Sequence, residues 1–489
     1  MAAKVRGALG QLGTFARDLI GRPSEVRPLG KLAVGTAKAA HLLESAVAGV
    51  RAPQPPGPHQ QTVARLRRPI SAATIQAHSS ESASRSWAGA LDRASQVVGE
   101  QPSRRLADPR ELVGSELSFI TDNLARLLES GHPMLNTVSR YYFSGSGKHL
   151  RPLLVMLVAQ ASSVAAQRAG AAPTRDYAQI DRAAAPGIGS DGESQRANRL
   201  IEDATRGGHG GRAYAPHVTG ALTILPTQRR LAEITELIHT SSLLHDDVID
   251  RAETRRGQAA VQQRFGNKMA IFAGDFLLAR ASMALARLRD PAVIEIMASV
   301  LCDLVDGEFR QLKNLEDEDA PMARPDEAAF AYYLDKTYLK TGSLIAKSCR
   351  SSAILGNAAD DVAEAAYIYG RNLGIAFQLI DDLLDFTVSS TQFGKPVGAD
   401  LELGLATAPV LYAWQEYPEL GPLVARKFSD EGDVTRAWEL VHASQGLART
   451  KALAWQYAVR ANEALAVFPE SPAREALENV TQSVLTRTK

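Results

Sequence analysis

Apolar residues recur every three to five positions over most of the chain beyond residue 108. One such stripe runs through residues 112–128, and a continuous apolar run at 153–159 follows it. This spacing places apolar side chains on one face of a helix, because an α-helix completes a turn in about 3.6 residues. The alternation of apolar and polar residues that is typical of strands is scarce. The pattern therefore predicts an all-α fold built from long helices.

Two of the later helical stripes carry the same acidic motif, D-D-x-x-D. The first acidic motif lies in LLHDDVID at residues 243–250, and the second lies in LIDDLLD at residues 379–385. Residues four apart stack on one face of a helix, so the outer carboxylates of each motif should point in the same direction. The middle residue of the first motif, Asp247, points about 100° away from Asp246, which predicts a less direct role for it.

Carboxylates on mainly apolar helices are costly unless a positive charge neutralises them. Mg²⁺ prefers carboxylate and phosphate oxygen, so it is the cofactor that this pattern predicts. A single motif of this kind is more often a solvated acidic helix face, but two with matching apolar flanks favour a shared site for metal and diphosphate. The candidate metal-binding and catalytic residues are Asp246, Asp247, Asp250, Asp381, Asp382 and Asp385.

Basic residues lie on both sides of the two acidic motifs. Guanidinium groups bind phosphate in a bidentate manner, and lysine binds it as a point charge. A single arginine pair usually serves solubility, but a set that brackets both motifs indicates anion binding. The set comprises Lys148, Arg151, Arg255, Arg256, Lys340 and Lys395.

The ordered motifs resemble those of the trans-isoprenyl diphosphate synthases, and within that family the mitochondrial long-chain branch that makes the ubiquinone tail. The resemblance rests on GSGKHLRP at 145–152, on ELIHTSSLLHDDVIDRAETRRG at 236–257, and on the segment from GIAFQLIDD to GLATAPVLYA at 374–413. It covers residues 108–160 and 222–489. Two departures are Ser146, which replaces a glycine, and Leu405, which stands where many relatives carry a lysine.

The resemblance implies a bundle of long helices around a deep central cavity, usually in a homodimer or heteromer. It implies Mg²⁺-dependent ionisation of an allylic diphosphate, such as the farnesyl or geranylgeranyl compound, and its repeated condensation with isopentenyl diphosphate. By position in the matched motifs, the isopentenyl diphosphate ligands would be Gly147, Lys148, Arg151, His239 and Arg256. The allylic diphosphate ligands would be Arg255, Lys340, Thr341, Gln378 and Lys395.

Product length should depend on the residues one turn below Asp246 on the same helix. Short-chain relatives tend to have bulky residues there, whereas this chain has Ser241 and Ser242. Small side chains leave a path open for a growing tail, which predicts a product of about C30–C50 by resemblance. Serines in an apolar helix also commonly bond back to carbonyls one turn earlier, which fits either outcome.

Two other function classes remain open. A non-catalytic helical subunit could stabilise an active synthase, although such subunits tend to lose the acidic motifs that this chain retains. A class I terpene cyclase shares the metal-triggered ionisation, but such enzymes generally lack both GKHLRP and a second D-D-x-x-D motif.

Charge is distributed unevenly along the chain. Residues 1–80 carry eleven Lys or Arg against three acidic residues, and the remainder carries a net charge of −7. An arginine-rich, acid-poor leader predicts a mitochondrial transit peptide at 1–80, although a basic tail that binds nucleic acid or anionic lipid would have the same composition. The acidic remainder argues against nucleic acid as the main partner. The expected location is the matrix, with peripheral contact to the inner membrane allowed.

Domain boundaries follow from composition. Residues 81–107 form a predicted linker, 108–489 the catalytic domain, and about 165–223 a Gly- and Ala-rich flexible insertion within it. The two cysteines, Cys302 and Cys349, cannot build a disulfide framework. The absence of any uninterrupted apolar run of about 18 residues predicts no membrane-spanning helix.

Overall fold

The computed structural model describes residues 107–127, 137–138, 141–142, 149–170, 217–219, 222–255, 257–312, 324–387 and 398–487. The predicted transit peptide and nearly all of the predicted linker lie outside these ranges. So do four of the candidate site residues, namely Gly147, Lys148, Arg256 and Lys395.

The described residues are mostly helical, which confirms the predicted all-α class. The helices are α1 (Pro109–Leu127), α2 (Leu150–Arg168), α3 (Pro226–Ile249), α4 (Val261–Phe265), α5 (Asn267–Arg287), α6 (Pro291–Leu312), α7 (Glu327–Thr337), α8 (Ser343–Leu355), α9 (Asp360–Thr387), α10 (Ala399–Glu402), α11 (Ala408–Glu416), α12 (Leu420–Ala425), α13 (Asp433–Ala443), α14 (Gly446–Leu465) and α15 (Pro472–Thr486). A five-residue π-helical turn, Tyr338–Gly342, joins α7 to α8.

Two short antiparallel hairpins interrupt the helices. Strands β1 (His217–Thr219) and β2 (Leu222–Ile224) pair with Val218 opposite Thr223. Strands β3 (Thr254–Arg255) and β4 (Gln258–Ala259) pair directly after α3. The first hairpin lies at the end of the predicted insertion. Helix α2 continues to Arg168, close to the start predicted at about residue 165. Alanines 165 and 166 are as compatible with a helix as with a loop, so composition could not locate this boundary.

Side-chain caps fix where several helices begin. The Gln228 side chain accepts a hydrogen bond from the Leu225 amide at 2.9 Å at the start of α3, which also has a proline in its first turn. The Asp326 carboxylate accepts from the Ala329 amide at 2.9 Å before α7. These contacts satisfy amides that have no partner within the helix, so the chain enters each helix at a defined residue.

Helix α9 passes through the core and packs closely against α8 and α14. Its contact with α8 is made by small residues. A β-carbon added at Gly374 would lie 2.7 Å from the Cα of Gly342, and one added at Gly370 would lie 2.8 Å from the Cα of Ala346. The two backbones therefore approach closely, and the π turn is held against the middle of α9.

Helices α2 and α5 are long and apolar enough to cross a membrane by length and composition only, although neither contains an uninterrupted apolar run of about 18 residues. The mean hydropathy of an 18-residue stretch can stay high when the stretch contains isolated charges, such as Lys268 and Asp275. The same charges end an uninterrupted apolar run. Two-thirds of the α2 window, 67%, is buried inside the protein, as in the core helix of a soluble domain. The α5 window is 44% buried, and this helix packs against α3.

Candidate active site

The structure brings the two acidic motifs to opposite walls of one central cavity of about 480 Å³. The C-terminal end of α3 supplies one wall and the C-terminal end of α9 the other. The predicted residues that line the cavity are Asp246, Asp250, Asp381, Asp382, Asp385, Arg151, His239, Arg255, Lys340, Thr341, Gln378 and Ser242. The fold therefore brings together two motifs that are 135 residues apart along the chain, as the sequence predicted.

The carboxylates of the first motif are poorly neutralised by the protein. Burial, together with the nearby charge of Glu308, raises the pKa of Asp246 to about 7. Burial also raises the pKa of Asp250. Lys340 and Arg255 oppose both shifts but do not cancel them. A site that disfavours its own ionised carboxylates is suited to a cation that is not part of the chain.

The arrangement of donors fits a metal that is shared with a substrate. Among the described residues, no group of three acidic, histidine or cysteine side chains is compact enough to enclose an ion. Mg²⁺ commonly binds through one or two carboxylates and takes its remaining ligands from water and substrate phosphates. Carboxylates on facing walls, with room for a diphosphate between them, match that mode of binding.

Asp247 lies apart from the cavity, as its helical position predicts. Its side chain is fully buried, and Arg255 donates to one of its oxygens from Nε at 2.8 Å and from Nη2. Its carbonyl oxygen accepts from Gln262 Nε2 at 2.8 Å. Asp247 therefore fixes Arg255 and the end of α3. It was predicted to belong to the metal-binding set with a less direct role than Asp246, and its position favours that indirect role.

The second acidic motif is held by several side chains. The Tyr333 hydroxyl donates to Asp382 at 2.5 Å, and Gln378 Nε2 donates to the other oxygen at 2.9 Å. Burial raises the pKa of Asp382 to about 6, and these hydrogen bonds limit the rise. Asp385 accepts from the Asp400 amide at 3.1 Å. The network orients the carboxylates on the α9 wall.

The π turn presents Lys340 and Thr341 to the cavity. Lys340 Nζ lies 2.6 Å from a Glu308 oxygen and 2.7 Å from Gln311 Oε1, both on α6. The Thr341 hydroxyl donates to Gln378 Oε1 at 2.8 Å, which links the turn to Asp382 through one amide side chain. A π turn shifts the direction of the residues that follow it, and such turns are frequent at functional sites.

Arg151 and His239, two predicted isopentenyl diphosphate ligands, contact each other, with Arg151 Nη1 2.8 Å from His239 Nε2. Both also line a side cavity of about 530 Å³ together with Phe377 and Arg487. The Arg487 guanidinium lies 3.8 Å from the Phe377 ring centre and 2.5 Å from Asp381. The residue that follows α15 thus reaches the second acidic motif.

An apolar tunnel of about 330 Å³ extends from Asp246 between α3, α5 and α6. Ser241 and Ser242 both line it, as the chain-length prediction requires. The Ser241 hydroxyl donates to the Gly274 carbonyl on α5 at 2.8 Å, and the Ser242 hydroxyl bonds back to His239 at 2.9 Å. The backbone contact anticipated for serines in a helix is therefore present at Ser242, and it leaves the tunnel open.

Sequence reasoning missed Glu308, Gln311, Tyr333 and Arg487. Glu308 and Gln311 are three residues apart on α6, a spacing that places two polar groups on one helix face. That spacing could have identified them, although it gives no indication of the partner helix. Tyr333 had no comparable signal, because a buried tyrosine is ordinary core composition. Arg487 follows the last helix, and its contacts with Phe377 and Asp381 join parts of the chain that no local pattern links.

Comparison with known proteins places this geometry in a known context. The polyprenyl synthetase family model matches residues 210–441. The probable mitochondrial hexaprenyl pyrophosphate synthase of Neurospora crassa is 47% identical over 88% of this chain and 94% of its own length. Decaprenyl-diphosphate synthase subunit 1 of Schizosaccharomyces pombe is 43% identical over 77% and 91%. The crystal structure of a Caulobacter crescentus polyprenyl synthase, complexed with calcium and isoprenyl diphosphate, aligns with a TM-score of 0.61 at 26% identity, covering 80% of this chain and 100% of that one.

Proposed function

The chain belongs to the polyprenyl synthetase family, and from that premise we propose how its cavity works. The protein is a mitochondrial prenyltransferase that makes the long-chain polyprenyl diphosphate of the ubiquinone side chain. The observation that carries the proposal is the meeting of both acidic motifs at a cavity that shares Ser242, Asp246 and Lys340 with an apolar tunnel. The reacting diphosphate and the growing tail would occupy these two spaces.

Asp246, Asp250, Asp381 and Asp385 are the residues that would hold the divalent metal, and we assign it as Mg²⁺. When bound, the metal stabilises the negative charge that develops on a departing diphosphate. Asp247 and Asp382 would act as positioning residues, because Asp247 is paired with Arg255 and Asp382 is held by Tyr333 and Gln378.

The basic residues would divide between two substrates. Lys340 and Thr341 would bind the allylic diphosphate, with Lys340 exchanging its contact with Glu308 for a phosphate oxygen. Arg255, Gln378 and Lys395 complete the set assigned by resemblance. Arg151 and His239 would bind isopentenyl diphosphate in the side cavity. Gly147, Lys148 and Arg256, which lie outside the described residues, complete the set assigned by resemblance.

Exposed apolar residues on α5 and α6 indicate a partner subunit. They are Ile271, Phe272 and Met283 on α5 and Val305, Phe309 and Leu312 on α6, with Phe272 60% and Phe309 65% exposed. Contiguous exposed apolar surface is rare on monomers and marks interfaces. The three α6 residues also line the tunnel, so a partner would cover its outer side. We propose a second copy of this chain as that partner, with a related subunit as the alternative.

The oligomer proposal is tested by light scattering of the purified chain with and without Phe272→Glu. A dimer that the substitution converts to monomer is expected, whereas a wild-type monomer that dimerises only with a related subunit would favour the heteromer. Phe272→Leu serves as the matched control and should remain dimeric, because it keeps the contact apolar.

The catalytic proposal is tested by incubating the full chain with MgCl₂, labelled isopentenyl diphosphate and farnesyl or geranylgeranyl diphosphate. Linear products of about C30–C50, lost with EDTA and restored with excess Mg²⁺, are the expected result. Product that forms only when a related subunit is added would favour the stabilising-subunit class. Cyclised hydrocarbon would favour the terpene cyclase.

A further inference from the structure

Lys336 lies in the last turn of α7 and lines the central cavity together with both acidic motifs. It is four residues before Lys340, and both side chains reach the same space. Its ammonium lies 5.9 Å from the centre of the Tyr333 ring, whose hydroxyl is bonded to Asp382. Lys336 therefore stands beside the α9 wall of the cavity.

Two other cations of the central cavity, Lys340 and Arg255, are each held by a carboxylate. Lys340 is paired with Glu308, and Arg255 is paired with Asp247. Lys336 differs, because in the part of the chain that the structure describes it forms no salt bridge. The charges of Asp382 and Asp400 act on it from a greater distance, while burial lowers its pKa.

An ammonium that is partly shielded from water and has no close anion is unfavourable unless an anion is supplied when the protein works. The central cavity is the space into which a diphosphate would be admitted, so it could supply that anion. Leu405 lines the same cavity at the position where many relatives carry a lysine. This chain thus lacks a cation on the segment after α10 but has one on α7.

We propose that Lys336 is a ligand of the allylic diphosphate and supplies from α7 the positive charge that Leu405 cannot provide. The assignment rests on the proposed function, because it takes the central cavity as the allylic site. The competing structural role is that Lys336 only offsets the charge of Asp382 and Asp400. Its removal would then change stability or metal requirement and would leave primer binding unaltered.

The test compares Lys336→Met, Lys336→Arg and a control, Lys451→Met, which removes an exposed lysine of α14. Steady-state kinetics would vary geranylgeranyl diphosphate and isopentenyl diphosphate separately at saturating Mg²⁺. Loss of one charged hydrogen bond to phosphate should raise KM for the allylic substrate by about 10- to 100-fold. KM for isopentenyl diphosphate should stay within about twofold, Lys336→Arg should recover most of the loss, and Lys451→Met should match wild type.

Direct binding supplies a readout that does not depend on turnover. Calorimetric titration of geranylgeranyl thiodiphosphate in the presence of Mg²⁺ should show a matching loss of affinity in Lys336→Met and recovery in the double variant Lys336→Met/Leu405→Lys.

Unchanged KM and affinity for the allylic substrate in a folded Lys336→Met would overturn the assignment, as would equally weakened binding of both substrates. A double variant no better than Lys336→Met would overturn the charge exchange between the two positions. If Lys336→Met fails to fold, Lys336→Gln provides the same comparison. An inactive wild-type chain would instead refute the proposed function.

Discussion

The Asp246 carboxylate is partly buried near Glu308 and Asp250, and its pKa is raised to about 7. The same residue faces the opposite acidic motif across the central cavity. A charge placed where the protein alone cannot neutralise it reduces stability and at the same time creates a site for metal. Replacing Asp246 should therefore lower activity and raise the stability of the metal-free protein.

Replacing Asp246 or Asp381 with Asn should lower kcat by at least about 100-fold, comparable to the loss of one electrostatic stabiliser in other enzymes. The amide retains the size of the carboxylate, so circular dichroism should be unchanged. The measurement is the initial rate of product formation at saturating Mg²⁺ and substrates. Turnover close to wild type in either variant would contradict the metal-site assignment, and Asp360→Asn, on the first turn of α9 and away from the cavity, serves as the control.

Asp246→Asn should also raise the Tm of the metal-free protein, and the gain should depend on pH. Between pH 3.8, the ordinary pKa of an aspartate side chain, and about 7 the folded protein holds a proton that the unfolded chain has released. The contribution of Asp246 to the free energy of unfolding therefore falls as pH rises through this window. Asparagine has no carboxyl group to ionise, so the variant does not lose this stability as pH rises. In EDTA at pH 8 its Tm should therefore exceed that of the wild type by about 2–4 °C. The difference should shrink at pH 6 and vanish near pH 4, and a gain independent of pH would contradict the assigned cause.

At the scale of elements, helix packing sets both the tunnel and the position of the π turn. Helices α3, α5 and α6 line the tunnel, and the small residues of α8 and α9 hold Thr341 beside Gln378. A larger side chain in the tunnel, or one between α8 and α9, should act through the volume it occupies. The two changes should have different effects on the enzyme.

Ser242→Phe should shorten the product sharply, because an aromatic ring in the tunnel blocks the path or costs about 1–3 kcal/mol of strain. Chromatography of the dephosphorylated products measures the chain length. Ser242→Ala removes the hydroxyl and leaves the tunnel open, so it should give the wild-type product. Full-length product from a Ser241→Phe/Ser242→Phe variant would show that chain length is limited elsewhere.

Gly374→Ala should destabilise the protein by about 1–3 kcal/mol, since the new methyl group would meet the Gly342 backbone at 2.7 Å. Displacement of the π turn should also raise KM for the allylic substrate. Thermal unfolding and steady-state kinetics measure the two effects. Gly114→Ala on α1 is the matched control, because no atom lies within 4 Å of its added β-carbon. Equal stability of the two variants would contradict the close contact.

The sequence predicted the helical class, both acidic motifs and their meeting, because these depend on periodicity and on residues that stack within one helix. It also predicted that Asp247 would point away from Asp246. It could not predict Glu308 as the partner of Lys340 or Tyr333 as the partner of Asp382, because each contact joins separate helices. Such pairs depend on helix order and crossing geometry, which no local pattern contains.

At the scale of the whole molecule, charge divides the chain into a basic N-terminal segment and an acidic remainder. The described helices belong to the remainder, and residues 1–80 lie outside the described structure. The described residues that line the central cavity lie between Arg151 and Thr407, so we expect transport and catalysis to be separable.

A fluorescent protein fused after residues 1–80 should accumulate in mitochondria, because import recognises a basic, acid-poor leader. Fluorescence microscopy with a mitochondrial dye measures this. Replacing the leader's Lys and Arg residues with Gln should leave the fusion in the cytosol. A diffuse signal from the unmodified fusion would contradict the targeting prediction, whereas activity of the purified chain lacking residues 1–80 should persist.

The π turn between α7 and α8 restricts which changes a descendant of this sequence can inherit. A π turn contains about one residue more than the α-helical turn it replaces, so deletion of a single codon within Tyr338–Gly342 would restore a regular helix. Lys340 and Thr341 would then rotate by about 100° relative to α9 and lose Glu308 and Gln378. Such a lineage would keep its charge, its hydropathy and its helices while losing its chemistry. Selection at this turn therefore acts on length as well as on residue identity.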